Sequence, residues 1–172
     1  MPNRRRLFII VVVCALAAVA GVMVWQYFSP SDERRIATLL EECADAVAFG
    51  RGEAPAGALL KLRAVESRIE DELTIRWRRR GNIQEQRLDR RSVMGHLAAT
   101  RKQLTDLRID LSDLNITVNG DSAFAESSIQ LSGHATGGKW DDPILEEVSF
   151  ELVRRDGVWR IAAVNTRDFM EK

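Results

Sequence analysis

Residues 150–161 read Phe-Glu-Leu-Val-Arg-Arg-Asp-Gly-Val-Trp-Arg-Ile, and this stretch decides the fold. Apolar and polar side chains alternate on both sides of Asp156-Gly157, which is the period of a half-buried strand. An Asp-Gly pair between two such runs is a strong signal for a tight hairpin turn. The sequence therefore predicts an antiparallel hairpin with Trp159 buried. The alternating apolar residues are Val148, Phe150, Leu152, Trp159, Ile161 and Ala163.

Two further strands precede this hairpin, and the first of them changes phase. Apolar residues occupy odd positions from 107 to 111 and even positions from 114 to 118. Both sets can share one face of a sheet only if a residue bulges out at Ser112-Asp113. Asn119-Gly120-Asp121 then predicts a turn into a strand that runs from 123 to 131.

Three helices are predicted ahead of and between the strands. Their apolar residues recur three and four positions apart, which is the spacing of an amphipathic helix. Asp32 can cap the first helix, and the Gly-Arg-Gly-Glu-Ala-Pro run at 50–55 separates it from the second. The predicted inner positions are Ile36, Leu39, Leu40, Cys43 and Val47 in the first helix, Leu59, Leu62, Val65 or Glu66, Ile69 and Leu73 in the second, and Val93, Met94, Leu97 and Leu104 in the third.

Another hairpin is predicted between the second and third helices. Residues 73–78 alternate apolar with polar, and residues 83–88 can return as the partner strand. Gly81-Asn82 supplies the turn signal. The spacing of the apolar residues therefore changes from that of a helix to that of a strand near Leu73.

The N-terminus carries the pattern of a membrane anchor. Arg4-Arg5-Arg6 precedes an apolar run, residues 7–25, that contains no charged residue and no proline. About 20 apolar residues are enough for a helix to cross the hydrocarbon core, and Trp25, Tyr27 and Phe28 suit a membrane–water interface. We expect a cytoplasmic tail at 1–6, a transmembrane helix at 7–28, a linker at 29–31 and one domain at 32–172.

The three arginines also predict the orientation of this anchor. Basic residues beside a span favour the cytoplasmic side, which places the domain in the periplasm, attached to the inner membrane by a single pass. A cleaved secretory signal is the alternative, because Ala15-Leu16-Ala17 and Ala18-Val19-Ala20 both resemble cleavage sites. The apolar run continues past both of them to Trp25, which favours an uncleaved anchor.

The composition argues against several classes of chemistry. The chain balances 25 basic against 25 acidic residues, so no net charge attracts nucleic acid. Two isolated histidines and two cysteines lack the spacing of a metal site. The sequence contains no phosphate-binding loop, dinucleotide-binding turn or nucleophile elbow. We therefore expect no cofactor, no metal and no nucleic-acid partner.

The order of the predicted elements resembles the nuclear transport factor 2-like superfamily: helix, helix, hairpin, helix, then four antiparallel strands with a bulge. The most similar local stretch is residues 150–161, where an aromatic residue, Trp159, follows the Asp-Gly turn. The resemblance covers about residues 32–168. It implies an α+β fold in which a curved antiparallel sheet wraps around three helices as a cone with a cavity.

The resemblance leaves the function open. Members of that superfamily include ketosteroid isomerases and polyketide cyclases, and also binding or assembly modules, some of them membrane-anchored subunits of type IV secretion machines. The tyrosine and protonated aspartate that act in ketosteroid isomerases have no counterpart here, because the only tyrosine, Tyr27, adjoins the predicted span.

Four residues are candidates to line the cavity of such a cone: Trp77, His96, Phe150 and Trp159. For the three aromatic residues the alternative is an ordinary core position. His96 precedes the inner-face residue Leu97 and can lie at the rim of the cavity, or else be an exposed helix residue. His134 falls in a Gly-rich segment, where we expect exposure.

A basic patch is the other candidate surface. Its arginines can protect a sheet edge against pairing, or bind anionic lipid head groups or an acidic partner. Acidic residues at 141, 142, 146, 147 and 151 can form a plain solvated face, or can meet this patch on another copy. An exposed tryptophan in the loop at 133–143 suits a membrane or partner contact. The patch comprises Arg76, Arg78, Arg79, Arg80, Arg87, Arg90, Arg91 and Trp140.

These observations favour a single-pass, membrane-anchored binding or assembly module. We expect a non-catalytic, protein-interaction subunit of an envelope complex, with protein partners that can include further copies of the chain. The alternative is a domain whose cavity binds a lipid or another small apolar molecule, including a cyclase-like or isomerase-like enzyme.

Overall fold

The computed structural model describes residues 31–79, 82–136, 138–139 and 143–167. The predicted tail and transmembrane helix, residues 1–28, lie outside these ranges, as do Arg80, Trp140 and the side chain of Arg79. No helix within the described ranges combines the length and apolar composition that crossing a membrane requires.

Three helices and seven strands are formed in these ranges. The helices are α1 (Asp32–Val47), α2 (Pro55–Arg68) and α3 (Arg90–Gln103). The strands are β1 (Ile69–Arg79), β2 (Asn82–Asp89), β3 (Leu104–Asn119), β4 (Ser122–Ala135), β5 (Gly138–Lys139), β6 (Ile144–Arg155) and β7 (Val158–Arg167).

One sheet contains all of these strands, in the order β2-β1-β7-β6-β4-β3, with the short β5 paired to β4. The pairings are antiparallel except that β1 runs parallel to β7. This parallel pair joins the first hairpin to the last strand, which sequence alternation alone does not specify. Strands β2 and β3 form the two edges of the sheet.

The predicted turns and bulge are confirmed. The β3–β4 register shifts between Ser112 and Asn115, and Asp113 takes a φ of 53°. At the last hairpin, Asp156 and Gly157 both have positive φ, 52° and 77°, as a two-residue turn of this kind requires. The pairing of Arg79 with Asn82 confirms the first hairpin.

The predicted boundary between the second helix and the first strand was wrong. We expected Ile69 and Leu73 on a helical face, but α2 ends at Arg68 and both residues belong to β1. Their four-residue spacing fits the apolar face of a helix or of a strand. The neighbouring strands favour the strand, because Ile69 pairs with Ile161 and Leu73 pairs with Leu88. Leu59, a predicted inner residue of the same helix, is 52% exposed.

The interior between α1 and the sheet is filled by large apolar side chains. Burial of each contributes about 1.5–3 kcal/mol to stability. Cys43 lies among them, and burial raises the pKa of its thiol to about 11, so this cysteine is an apolar core residue. The core includes Ile36, Leu39, Leu40, Cys43, Val65, Ile69, Leu73, Val93, Phe150, Leu152, Trp159 and Ile161.

Candidate functional site

The predicted cavity residues occupy three different environments. Phe150 and Trp159 are buried in the core, with 9% and 4% of their surface exposed. Trp77 is half-buried on β1, and His96 is exposed on α3. The groove described below is lined by none of the four.

Several arginines of the basic patch form ion pairs with carboxylates of the same chain. The Arg76 guanidinium donates to Glu85 over 3.0 Å and to Glu151 over 2.7 Å, and these two carboxylates raise its pKa. Arg87 also contacts Glu85, and Arg90 contacts Asp71. Glu151, for which we considered a solvated position or a contact with the patch of another copy, meets Arg76 of its own chain, because β6, β7 and β1 are neighbours.

A groove with a volume of about 880 Å³ lies at the β3 edge of the sheet, opposite to the β2 edge. One wall comes from the end of α1 and the α1–α2 loop, and the other from β3 and β4. Apolar groups and several titratable side chains converge on it, a combination that is typical of binding sites. We call this the β3 groove; it is lined by Asp45, Ala48, Phe49, Gly50, Arg51, Lys61, Asp106, Leu107, Arg108, Ile109, Asp110, Ser132, Gly133, His134 and Pro143.

Asp106 is the centre of a three-residue polar chain in the β3 groove. Its Oδ1 lies 2.7 Å from Nδ1 of His134, and its Oδ2 accepts a hydrogen bond of 3.0 Å from Nε of Arg51. Because a carboxylate only accepts, the contact assigns the proton to Nδ1 of His134. His134 and Arg51 hold the pKa of the Asp106 carboxyl below its usual value.

The pairing of β3 with β4 creates this contact, since Asp106 lies directly opposite His134. Gly133 permits the close approach: a Cβ at this position would come within 2.5 Å of the Asp106 carbonyl oxygen. The groove therefore depends on a glycine at a position where β3 and β4 approach closely.

A second polar cluster fixes the loop that forms the facing wall. Burial by itself would raise the pKa of Glu53, but hydrogen bonds from Lys61 and Arg101 hold it below its usual value. Arg101 also donates to the carbonyl of Ala46 over 2.9 Å, and its guanidinium lies 4.8 Å from the centre of the Phe49 ring. Arg101 thereby ties α3 to the end of α1.

Phe49 connects this loop to the sheet. Its N–H donates to the Leu107 carbonyl over 2.9 Å, and its carbonyl accepts from the Leu107 N–H over 2.8 Å. The bridge is antiparallel and lies on the edge of β3 that faces away from β4. Phe49 is thus paired, in the antiparallel orientation, with the strand edge that lines the groove.

The groove offers recognition groups and one oriented histidine. The contact to Asp106 fixes the His134 ring and leaves Nε2 able to exchange a proton with a bound molecule. In the described part of the chain, no group of three or more His, Cys, Asp or Glu side chains is arranged to hold a metal ion. The expectation that the protein uses no cofactor stays a prediction.

Asp106, Arg51 and Lys61 were not predicted as site residues, and His134 was expected to be merely exposed. The sequence does contain a signal for the central contact. Counting back along the hairpin from the pair Asn119 and Ser122, with one residue lost at the predicted bulge, sets Asp106 opposite His134. The contact with Arg51 has no such local signal, because it spans 55 residues.

Comparison with known proteins agrees with this architecture. Residues 81–165 match the SnoaL-like domain family. A protein from Kribbella flavida has a similar structure, with a TM-score of 0.67 at 16% identity over 83% of this chain and 93% of the other. No curated protein matches the sequence at a significant level.

Two other solved structures are similar. An NTF2-like protein from Pseudomonas putida gives a TM-score of 0.58 at 15% identity, over 83% of this chain and 92% of that one. A protein named as a proposed scytalone dehydratase, from Novosphingobium aromaticivorans, gives 0.63 at 12% identity, over 80% and 83%. Residues 81–165 are therefore similar to the SnoaL-like domain family, and the chain shares the fold of these solved structures, including the NTF2-like protein, as the order of its elements predicted.

Proposed function

We propose that this protein is a non-catalytic binding module that holds a protein partner in the β3 groove. The observation that carries the proposal is the position of that groove, which runs beside an edge strand and is open to solvent. A site beside a strand edge offers backbone donors and acceptors as well as side chains, which suits an extended protein segment.

The interior of the fold supports a role without catalysis. Phe150, Leu152 and Trp159, which could have lined an interior cavity, belong to one buried hydrophobic core. In the groove itself, the charged side chains of Arg51 and Asp106 are paired with each other. Arg51 and Asp106 thus present a pair of opposite charges to a bound partner.

The proposal includes the membrane anchor at residues 7–28. A linker of only three residues, 29–31, spans at most about 10 Å at about 3.3–3.6 Å per residue. The domain would then be attached close to the periplasmic face of the inner membrane, where partners embedded in the same membrane are concentrated. A diffusing enzyme gains little from such a tether.

Site-specific photo-crosslinking in intact cells tests both parts of this function. A photoreactive residue at Ser132, in the groove, is compared with one at Gln86, on β2 at the other edge. We expect a partner adduct from position 132 alone, and its loss when residues 1–28 are replaced by a cleaved signal peptide. Equal adducts from both positions would contradict the groove as the binding surface, and an unchanged adduct without the anchor would contradict the tether.

A second candidate function rests on the contact between His134 and Asp106. A histidine held by a carboxylate can act as a general base, so the groove could bind a small molecule and move one of its protons. Native mass spectrometry of the purified full chain separates the two functions. A co-purified small molecule that is lost in His134→Gln, but kept in the exposed-helix control His96→Gln, would favour this alternative.

A further inference from the structure

We infer that the β3 groove recognises a carboxylate, which an acidic side chain of the partner protein presents to Arg51, Arg108 and His134. This inference rests on the proposed function and adds to it the chemistry of the group that the groove binds. It depends on three observations: the open donor atoms of Arg51 and His134, the position of Arg108, and the balance of charge around these side chains.

Asp106 orients two side chains and leaves other donor atoms of both of them open. Its Oδ1 engages Nδ1 of His134, and its Oδ2 engages Nε of Arg51. Within the described residues, the terminal nitrogens of that guanidinium and Nε2 of that imidazole have no hydrogen-bond partner. A guanidinium presents its donors in a planar fork that matches a carboxylate, and a protonated imidazole donates from both nitrogens. The side chains of Arg51 and His134 are 70% and 50% exposed, so a bound molecule can reach these atoms.

Arg108 adds a second guanidinium beside this pair. It lies two residues after Asp106 on β3, so both side chains are on the same face of the strand. Across the hairpin, Arg108 pairs with Ser132 and Asp106 pairs with His134. Arg108 is therefore a diagonal neighbour of His134, about 7–8 Å away and within reach of a long side chain. It is exposed and, in the described ranges, forms neither an ion pair nor a side-chain hydrogen bond, so its charge is available to a ligand.

The balance of charge at this end of the groove favours an anion. Two arginines adjoin the carboxylate of Asp106, and both oxygens of that carboxylate are already engaged. Of the other charged residues in the lining, Lys61 is held in an ion pair, and Asp45 lies on α1. Asp110 is four residues beyond Asp106, about 13 Å along the strand. The surroundings of His134 therefore carry more positive than negative charge, even before the imidazole is protonated.

Binding of two blocked amino acids to the purified full-length protein tests this inference. Acetyl-glutamate amide carries one carboxylate, and acetyl-glutamine amide replaces it with a carboxamide of nearly the same size. In an NMR titration, the first compound should move the Nε2 signal of His134 and the backbone amide signal of Arg108. We expect it to bind about tenfold more tightly than the second compound, because its hydrogen bonds are assisted by charge.

Arg108→Gln is the decisive variant, because this arginine has no partner within the described residues that its loss would disturb. The variant should bind acetyl-glutamate amide about fivefold more weakly, whereas Arg108→Lys keeps the charge and should retain most of the affinity. Arg87→Gln, on the β2 edge, serves as the control and should leave the affinity unchanged. Equal affinity for the two compounds, no binding of acetyl-glutamate amide, or full affinity in Arg108→Gln would overturn the inference.

The photo-adduct from position 132 separates this inference from the proposed function. If the two compounds bind equally and the adduct persists in Arg108→Gln, the proposed function stands and the recognition of a carboxylate is wrong. If acetyl-glutamate amide is preferred but no adduct forms in cells, the groove binds a carboxylate and the function in holding a protein partner is wrong.

Discussion

The two edges of the sheet, β2 and β3, differ in how they are protected. On β2, Glu85 and Arg87 are exposed and belong to a network of charges with Arg76 of the neighbouring strand. Charged side chains on an edge discourage another strand from pairing there. On β3, by contrast, the loop residue Phe49 is paired with the edge at Leu107, and a groove continues beside Ile109.

This difference shows that the two edges are protected in different ways: β2 carries exposed charges, whereas β3 is flanked by a loop and a groove. The α1–α2 loop that flanks β3 is held by the cluster of Glu53, Lys61 and Arg101, so the facing wall of the groove is fixed. The arginine-rich hairpin looked like the main interaction surface in the sequence. In the folded chain Arg76 and Arg87 pair with Glu85 of the same hairpin, whereas the β3 edge borders the groove.

The largest expected effect comes from the cluster that fixes the groove wall. Arg101→Ala should lower the free energy of unfolding by about 3 kcal/mol, because it leaves the carboxylate of Glu53 and the carbonyl of Ala46 with fewer partners in a partly buried site. The matched change on the other edge, Arg87→Ala, should fall within the error of the measurement, because exposed ion pairs contribute little. Urea unfolding followed by circular dichroism compares the two variants. Equal losses would contradict the difference between the edges.

Gly133→Ala tests the close approach of β3 and β4. The added Cβ would meet the Asp106 carbonyl at 2.5 Å, so the strands must separate, at a cost of about 2 kcal/mol. The control is Gly95→Ala in α3, where a Cβ would meet nothing within 4 Å. That change should stabilise the helix by up to about 1 kcal/mol. Thermal unfolding reports both, and a stabilising effect at Gly133 would refute the packing described here.

The smallest effect concerns the acid titration of Asp106. Since the folded protein lowers the pKa of this carboxyl, its ionised form stabilises the fold above about pH 4, the pKa of an unfolded aspartate. That contribution is lost as the pH falls through the lower folded-state pKa. The carboxyl carbon signal should therefore titrate below the usual range, and His134→Gln should move its midpoint upward. The same midpoint in His134→Gln as in the unaltered protein would show that His134 does not interact with the carboxylate; His96→Gln serves as control.

Local signals in the sequence predicted most of the fold. Asp156-Gly157 and the phase change at Ser112-Asp113 depend on a few neighbouring residues, and both features appear as expected. The end of α2 could not be placed, because Ile69 and Leu73 fit a helix or a strand until the parallel partner β7 decides. The alternation of apolar and polar residues does not determine the boundaries of elements that depend on pairing with distant parts of the chain.

The candidate site was less predictable than the fold for the same reason. The groove joins Arg51, Asp106 and His134, which belong to a loop and two strands. The register of the β3–β4 hairpin was enough to predict the contact between Asp106 and His134. The position of the α1–α2 loop, however, follows from contacts such as that of Glu53 with Arg101, which is 48 residues away in the sequence. The residues predicted to line a cavity were chosen for their aromatic character, which in Phe150 and Trp159 serves the core.

Amide hydrogen exchange, resolved by NMR, tests the central claim that the β3 edge is the binding surface. We expect the partner identified by photo-crosslinking at position 132 to slow exchange at the amide of Ile109, which lines the groove, while the amides of β2 exchange at an unchanged rate. Protection confined to β2, or no change at Ile109 when that partner is bound, would contradict the account.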